Sequence, residues 1–354
     1  MTRKLYIFIL GLLMAIPAAK VEAGNPDRQG EGGAPQLLMN PWARSAGFHA
    51  MNTSMVFGVE SMHLNIAGLG RINKTQFLAS HGIYLEGTNI NTNSFGFAQR
   101  IGKGGALGVS IMALDFGDIP VTTTEQPEGT GATFSPRFFN LGLGYSYTFE
   151  NHVSVGFLFR SISESIADLS GSAFAVDAGV QYVAGEKDNF KFGISLRNIG
   201  GRMQYKGEGL SFSSSIPLGS GSYNLASNRR AAGFELPSLL NIGLSYDFLI
   251  GSAARLTPLG NFTSNAFAQD QIGGGLEFSF KEMLMLRGGY LTSVGATAEG
   301  TPEQSLYSGL SAGVTLDVPV KKDAPNGTRF GIDYGYRAST IFGGTHNVAI
   351  RLSL

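Results

Sequence analysis

Phe139-Asn140-Leu141-Gly142-Leu143-Gly144-Tyr145-Ser146-Tyr147-Thr148-Phe149 sets a large apolar side chain at every odd position and a small or polar one at every even position. Successive side chains of a strand point to opposite faces, so this stretch is a strand with one smooth apolar face and one small, polar face. The same alternation returns in Val153, Val155, Phe157 and Phe159, in Phe190, Phe192, Ile194 and Leu196, in Leu240, Ile242, Leu244, Tyr246 and Phe248, and in Val348, Ile350, Leu352 and Leu354. The apolar faces carry almost no charge. The opposite faces carry Arg160, Asp177, Lys191, Arg197, Asp247, Glu277, Arg287, Asp317, Asp333, Arg337 and Arg351 among glycines. A soluble sandwich turns a Lys-, Glu- and Thr-rich face to water. Here the apolar face suits lipid, where an arginine at mid-bilayer costs about 2–4 kcal/mol, and the small polar face suits a lumen.

The expected fold is therefore all-β: a transmembrane antiparallel β-barrel of about 14 strands over residues 75–354. Alternation predicts thirteen strands, near 75–84, 88–99, 105–116, 138–149, 152–162, 173–183, 189–198, 240–249, 271–280, 283–291, 306–318, 328–337 and 344–354. Such barrels have an even strand number, short periplasmic turns and longer outer loops. With the last strand ending inside, Gly117 to Arg137, Ser163 to Ser172, Gly251 to Asp270 and Thr292 to Ser305 fall outside, and Pro319 to Gly327 falls inside. Parity then demands a fourteenth, descending strand within Ile199 to Ser238, around Ser222 to Ala232. Tyr145, Tyr147, Phe149, Phe278, Phe280, Tyr334 and Tyr336 are the expected interfacial girdle.

Upstream, Arg3 and Lys4, an apolar run from Leu5 to Ile16 and small residues before Gly24 have the layout of a signal peptide over residues 1–23. Residues 24–74 are expected to be a periplasmic lead followed by a hatch-like segment tucked into the inner mouth. The chain has no cysteine, which excludes disulfides, thiolate metal sites and a lipidated N-terminal cysteine. Its net charge of zero gives no reason to expect nucleic acid, and the binding partner the strands imply is outer-membrane lipid.

Chemistry is sparse. Gly309-Leu310-Ser311-Ala312-Gly313 fits a nucleophile elbow, but the elbow needs a strand-to-helix turn and this string lies inside an alternating strand. His49, His63, His81, His152 and His346 are scattered without ligand spacing, so no metal and no cofactor is expected. Gly104 to Gly108 reads as a turn, because no helix follows to cradle a phosphate. The luminal charges have mixed sign and suit an internal salt-bridge network better than a selective ion path.

Ala43-Arg44-Ser45-Ala46-Gly47, Asn65-Ile66-Ala67-Gly68-Leu69, Asp177-Ala178-Gly179-Val180-Gln181-Tyr182, Arg197-Asn198-Ile199-Gly200, Leu286-Arg287-Gly288-Gly289-Tyr290 and Gly331-Ile332-Asp333-Tyr334-Gly335-Tyr336 together resemble the PorV/PorQ family. These are outer-membrane proteins of the type IX secretion system of Bacteroidetes, related to the fourteen-stranded FadL-type transporters. Ile66 stands where the family's hatch motif has proline, and Leu354 where assembly signals carry an aromatic residue. The resemblance implies a hatch motif at Asn65, Ala67, Gly68 and Leu69, and no catalytic residue. It also implies partners: the secretion translocon, cargo proteins and a surface sortase complex.

Two functions share this architecture, a barrel that receives secreted cargo and a FadL-like transporter of hydrophobic small molecules. The apolar content of the expected outer loops marks Ile119, Val121 and Phe134, and Leu256, Leu259, Phe262 and Phe267, as candidate partner-binding residues. The two faces also predict that Leu143→Arg impairs assembly and that Ser146→Arg is better tolerated.

Overall fold

The structure, a computed structural model, describes residues 28, 30–218, 221–294, 306–320 and 327–354. The expected signal peptide, and much of the expected connections Thr292 to Ser305 and Pro319 to Gly327, lie outside these residues. Fourteen strands form the wall: β1 (Thr75–Tyr84), β2 (Ile90–Ile101), β3 (Gly105–Asp115), β4 (Arg137–Thr148), β5 (Val153–Ile166), β6 (Leu169–Ala184), β7 (Phe190–Gly200), β8 (Leu239–Tyr246), β9 (Ala254–Asn265), β10 (Asp270–Phe280), β11 (Leu284–Val294), β12 (Tyr307–Pro319), β13 (Arg329–Ser339) and β14 (Thr345–Ser353). Every strand pairs antiparallel with its neighbours in sequence, and β1 pairs with β14, so the sheet closes without an edge. Closure satisfies every ladder internally, which is what allows strands to cross a bilayer.

Burial confirms the faces. Leu143, Phe157, Leu276 and Leu316 stand uncovered on the outside, while Asn140, Arg160, Asp177, Glu277, Arg287 and Asp333 are buried inside. Connections 102–104, 149–152, 185–189 and 281–283 lie on the side where β1 starts and β14 ends; the long connections 116–136 and 201–238 lie on the other, which is therefore the outer side. Tyr145, Tyr147, Phe149, Phe278 and Phe280 ring the inner rim, and Tyr334 and Tyr336 lie towards the outer one.

The strand count matches the expectation, but the fourteenth strand is elsewhere. It is β9, within the stretch expected as the outer loop Gly251 to Asp270. Its outward positions Leu256, Pro258, Gly260 and Phe262 include a proline and a glycine, and Leu259 points inward, so the alternation is faint. Pro258 has no N–H to give a ladder. Opposite it β8 breaks at Asp247 and resumes at Phe248–Ile250 in unbroken register. Strand 240–249 consequently descends, where parity had it ascending. Beyond the end of β7 at Gly200, the described residues up to Ser238 hold no wall strand; Ser211–Leu218 and Gly221–Asn228 pair with each other as a hairpin off the barrel.

The N-terminal segment fills the lumen. It comprises short helical turns at Pro35–Leu38, Gly58–Glu60 and Ile66–Arg71 and two four-residue helices, α1 (Ala43–Ala46) and α2 (Ser61–Leu64). Trp42, Val59, Met62, Ile66 and Leu69 share a core with Leu78, Leu158 and Ala349 of the wall. Its course corrects one expectation. Gly33 N–H donates to the Glu235 carbonyl at the outer end, whereas the Ile72 carbonyl accepts from Arg100 at the inner end. The segment runs from the outer mouth inward and occupies the lumen's length. Residues 28 and 30–34 thus form an outer strap where a periplasmic lead was expected, because Arg28 and Gly33 are held to Glu235 of the outer connection.

Candidate functional site: the plugged lumen and its outer mouth

Asn65 organises the inner half of the plug. Its Oδ1 accepts the Ala67 N–H (3.2 Å), capping the turn Ile66–Arg71, and its Nδ2 donates to the carbonyls of Thr53 (3.2 Å) and Val180 (3.1 Å). Asn65, Ala67, Gly68 and Leu69 are all buried. Glycine is required at Gly68, where a Cβ would lie 2.2 Å from the Val56 carbonyl oxygen. The wall answers in kind: a Cβ at luminal Gly179 would meet Asn65 Oδ1 at 2.1 Å, and one at Gly335 would meet the Ala43 carbonyl at 2.2 Å. The small luminal residues legible in the sequence are thus the seat of the plug.

The luminal charges pair as expected. Arg287 meets Glu277 (3.1 Å), which also takes Arg255 (3.1 Å); Arg160 meets Asp177 (2.6 Å); Arg351 meets Asp317 (2.8 Å); Lys191 pairs with Asp247. Basic side chains also fasten the plug, since Arg160 donates to the Met62 carbonyl (3.2 Å) and Arg197 to that of Leu37 (3.2 Å). Arg337 lies over the Tyr307 ring at 4.9 Å. Backbone of the N-terminal segment and paired charge thus occupy the lumen. Ser311 lies mid-strand in β12 and donates to the Gly289 carbonyl (3.4 Å), so the G-x-S-x-G string is wall and not an elbow.

At the outer mouth the strap is latched. Arg28 donates to Glu31 (2.8 Å) and Glu235 (2.9 Å) and lies over the Phe267 ring at 4.5 Å; Arg202 holds the other Glu235 oxygen at 3.0 Å. Hydrogen bonds from Arg28 and then Arg202 hold the Glu235 carboxyl below its ordinary range. Leu37 packs with Ile162, Ala175, Met203 and Leu236 beneath.

Beside the latch the wall opens. The β7–β8 ladder ends at Arg197 and Leu239, and β6–β7 shifts register between Val176 and Ala178, leaving Asn198 with φ +59°. Above that point the two strands are joined by Asn198 Nδ2 donating to the Pro237 carbonyl (2.9 Å). A cavity of about 400 Å³ occupies the gap, lined by Asn198, Ile199, Gly200, Gly201, Arg202, Glu235, Leu236 and Ser238.

Of the residues expected to bind a partner, Ile119, Val121, Phe134 and Phe267 lie in outer connections, and Leu256, Leu259 and Phe262 lie in the wall strand β9. Ile119 and Phe134 pair across a small hairpin, half-buried, with Val121 beside them. Leu256 and Phe262 face outward from β9, and Leu259 faces inward against Phe48, Met51 and Met55. Phe267 is in an outer turn but is buried under Arg28. In contrast, nothing in the alternation marked Arg28, Glu235 or the Asn198 bulge; Gly200-Gly201 at a strand end was the one available hint.

No family model matches the chain, and no curated protein matches it in sequence. Three solved structures share its fold. The toluene transporter TodX of Pseudomonas putida is 12% identical with a TM-score of 0.53, covering 89% of this chain and 97% of its own. For the toluene transporter TbuX of Ralstonia pickettii the figures are 13%, 0.53, 91% and 98%, and for the monoaromatic hydrocarbon channel CymD 13%, 0.52, 89% and 97%. At these identities the likeness is one of fold. With its closed, lipid-faced wall it makes this chain a bacterial outer-membrane barrel that shares the fold of these transporters.

Proposed function

We propose that the protein passes small, largely apolar molecules across the outer membrane, admitting them at the β7–β8 seam. The observation that carries this reading is the break in the wall: a cavity with Ile199 and Leu236 in its lining, at the outer end of two strands whose ladder has stopped, beside a lumen occupied by the N-terminal segment. Apolar solutes partition into such a gap and ions do not. The likeness in fold to toluene and hydrocarbon transporters supports the same class of cargo. A bulky side chain at Gly201, where a Cβ meets nothing within 4 Å, fills the cavity without backbone strain. Uptake of labelled toluene and of a labelled fatty acid should fall several-fold in Gly201→Trp. Unchanged uptake by the assembled variant would sink this reading.

A second reading, a secretion barrel that binds cargo or translocon and hands cargo to a surface sortase complex, has its own support. In the outer hairpin 211–228, Phe212, Tyr223 and Leu225 share one face and are all exposed. Exposed apolar groups clustered in this way mark a protein-binding surface. Removing 211–228 should then retain cargo in the cell and leave toluene uptake intact; normal secretion would remove this reading.

A further inference from the structure

Below the outer rim, the outward side of β1, β13 and β14 is hydrocarbon: Ala79, Ile350 and Ile332 stand side by side in register. Nearer the rim the outward positions set polar side chains beside the apolar Val348 and Ile83. His81 shares a hydrogen bond with Asn93 (2.9 Å), and His346 shares one with the Tyr334 hydroxyl (2.8 Å) and approaches Glu86 at 3.5 Å. Tyr336 stands 4.9 Å from the His346 ring, centroid to centroid, and donates to the Gly343 carbonyl (3.1 Å). All of these project from the wall's outer face, away from the plug. These hydrogen bonds use only part of each side chain's capacity, and polar groups turned to hydrocarbon are costly. A girdle accounts for the two tyrosines but not for two imidazoles and a carboxamide.

We propose that this patch is a binding site for the sugar headgroup of an outer-leaflet glycolipid. Position decides the occupant, because His81 and His346 lie within a few residues of the outer ends of β1 and β14, where headgroup meets acyl chain. Chemistry narrows it. Imidazole, phenol and carboxamide both donate to and accept from hydroxyls and amide-linked acyl groups, the carboxylate accepts from them, and the tilted Tyr336 and His346 rings offer apolar faces to a sugar. The cluster has no Lys or Arg, so a bare phosphate is the poorer fit. The patch is small and bounded by apolar wall on its inner side, which suits one headgroup better than a second protein. The inference is independent of what the barrel transports.

The test is lipid binding by the purified full chain, measured by native mass spectrometry with lipopolysaccharide and, separately, phosphatidylethanolamine. Wild type should retain lipopolysaccharide preferentially, and His81→Leu/Asn93→Leu/His346→Leu should bind it at least tenfold more weakly with phosphatidylethanolamine unchanged. Those leucines face lipid, so assembly, read by heat-modifiable gel migration, should survive. If it does not, His81→Gln/Tyr334→Phe gives the same readout with a milder change. Equal lipopolysaccharide binding by wild type and variant would overturn the proposal, as would a variant that alters only oligomeric state, which would assign the patch to a second copy of the chain.

Discussion

At Gly335 an added methyl would sit 2.2 Å from the Ala43 carbonyl, whereas at Gly260 the nearest atom is 4.0 Å away. The same substitution therefore has opposite signs at two wall glycines. Gly335→Ala should unseat the plug around α1 and cost about 1–3 kcal/mol as overpacking. Gly260→Ala should be neutral or gain about 0.4–1 kcal/mol by restricting the unfolded chain. Urea midpoints of the two variants in micelles check this, and a larger loss at Gly260 would contradict the seating. Ser146 revises an expectation in the same way. It is luminal, as the alternation implied, but it is fully buried and donates to the Ala67 carbonyl (2.9 Å). Ser146→Arg should thus fail along with Leu143→Arg, one for want of space and the other for want of water.

Among the elements, legibility followed the side chains that meet lipid. β4 and β5 alternate strongly because hydrocarbon covers one whole face. β9 was missed because Pro258 and Gly260 occupy outward positions while Leu259 points at the plug. Asn65, whose amide caps a turn and holds the wall at once, was marked only by the family resemblance. The strap's direction and the seam were not, since a salt-bridge latch and a backbone bulge leave no periodic trace. The latch makes a prediction of its own. The Glu235 carboxyl is held below its ordinary range of about 4.3 by Arg28 and Arg202, so its contribution is complete above that value and is lost as pH falls through the lower, bound one. A fluorophore at Glu31→Cys should become more mobile only in strong acid, and in Glu235→Gln it should be mobile at neutral pH. Mobility rising instead on alkalisation would reverse the sign. Inside the wall, Glu277→Gln leaves the buried Arg287 without its carboxylate partner, while Arg255 keeps Glu282 (2.8 Å) and Asp247 (3.4 Å), and should cost about 3–5 kcal/mol in the same urea assay.

For the molecule as a whole, the direction of the plug and the strand number decide what the barrel can conduct. An eight-stranded barrel is filled by its own side chains, and sixteen or eighteen strands leave a water-filled channel. Fourteen strands lie between, with a luminal face of glycines and charges too small to meet across the middle; here the segment from Gln36 to Ile72 does the filling. Because that segment enters from the outer mouth, a cysteine at Glu31 should react with an impermeant thiol reagent on intact cells, as should one in 117–136, whereas one at the inner turn Glu282 should not. Removing 28–72 should leave a wall that still closes, since its ladders are complete without the plug. Arg160 and Arg197 would then lose the Met62 and Leu37 carbonyls and take up water instead. In planar bilayers the shortened barrel should conduct ions in discrete steps while the full chain stays silent. A shortened barrel that assembles yet does not conduct would mean that the wall's side chains fill the lumen unaided, and that the plug closes nothing.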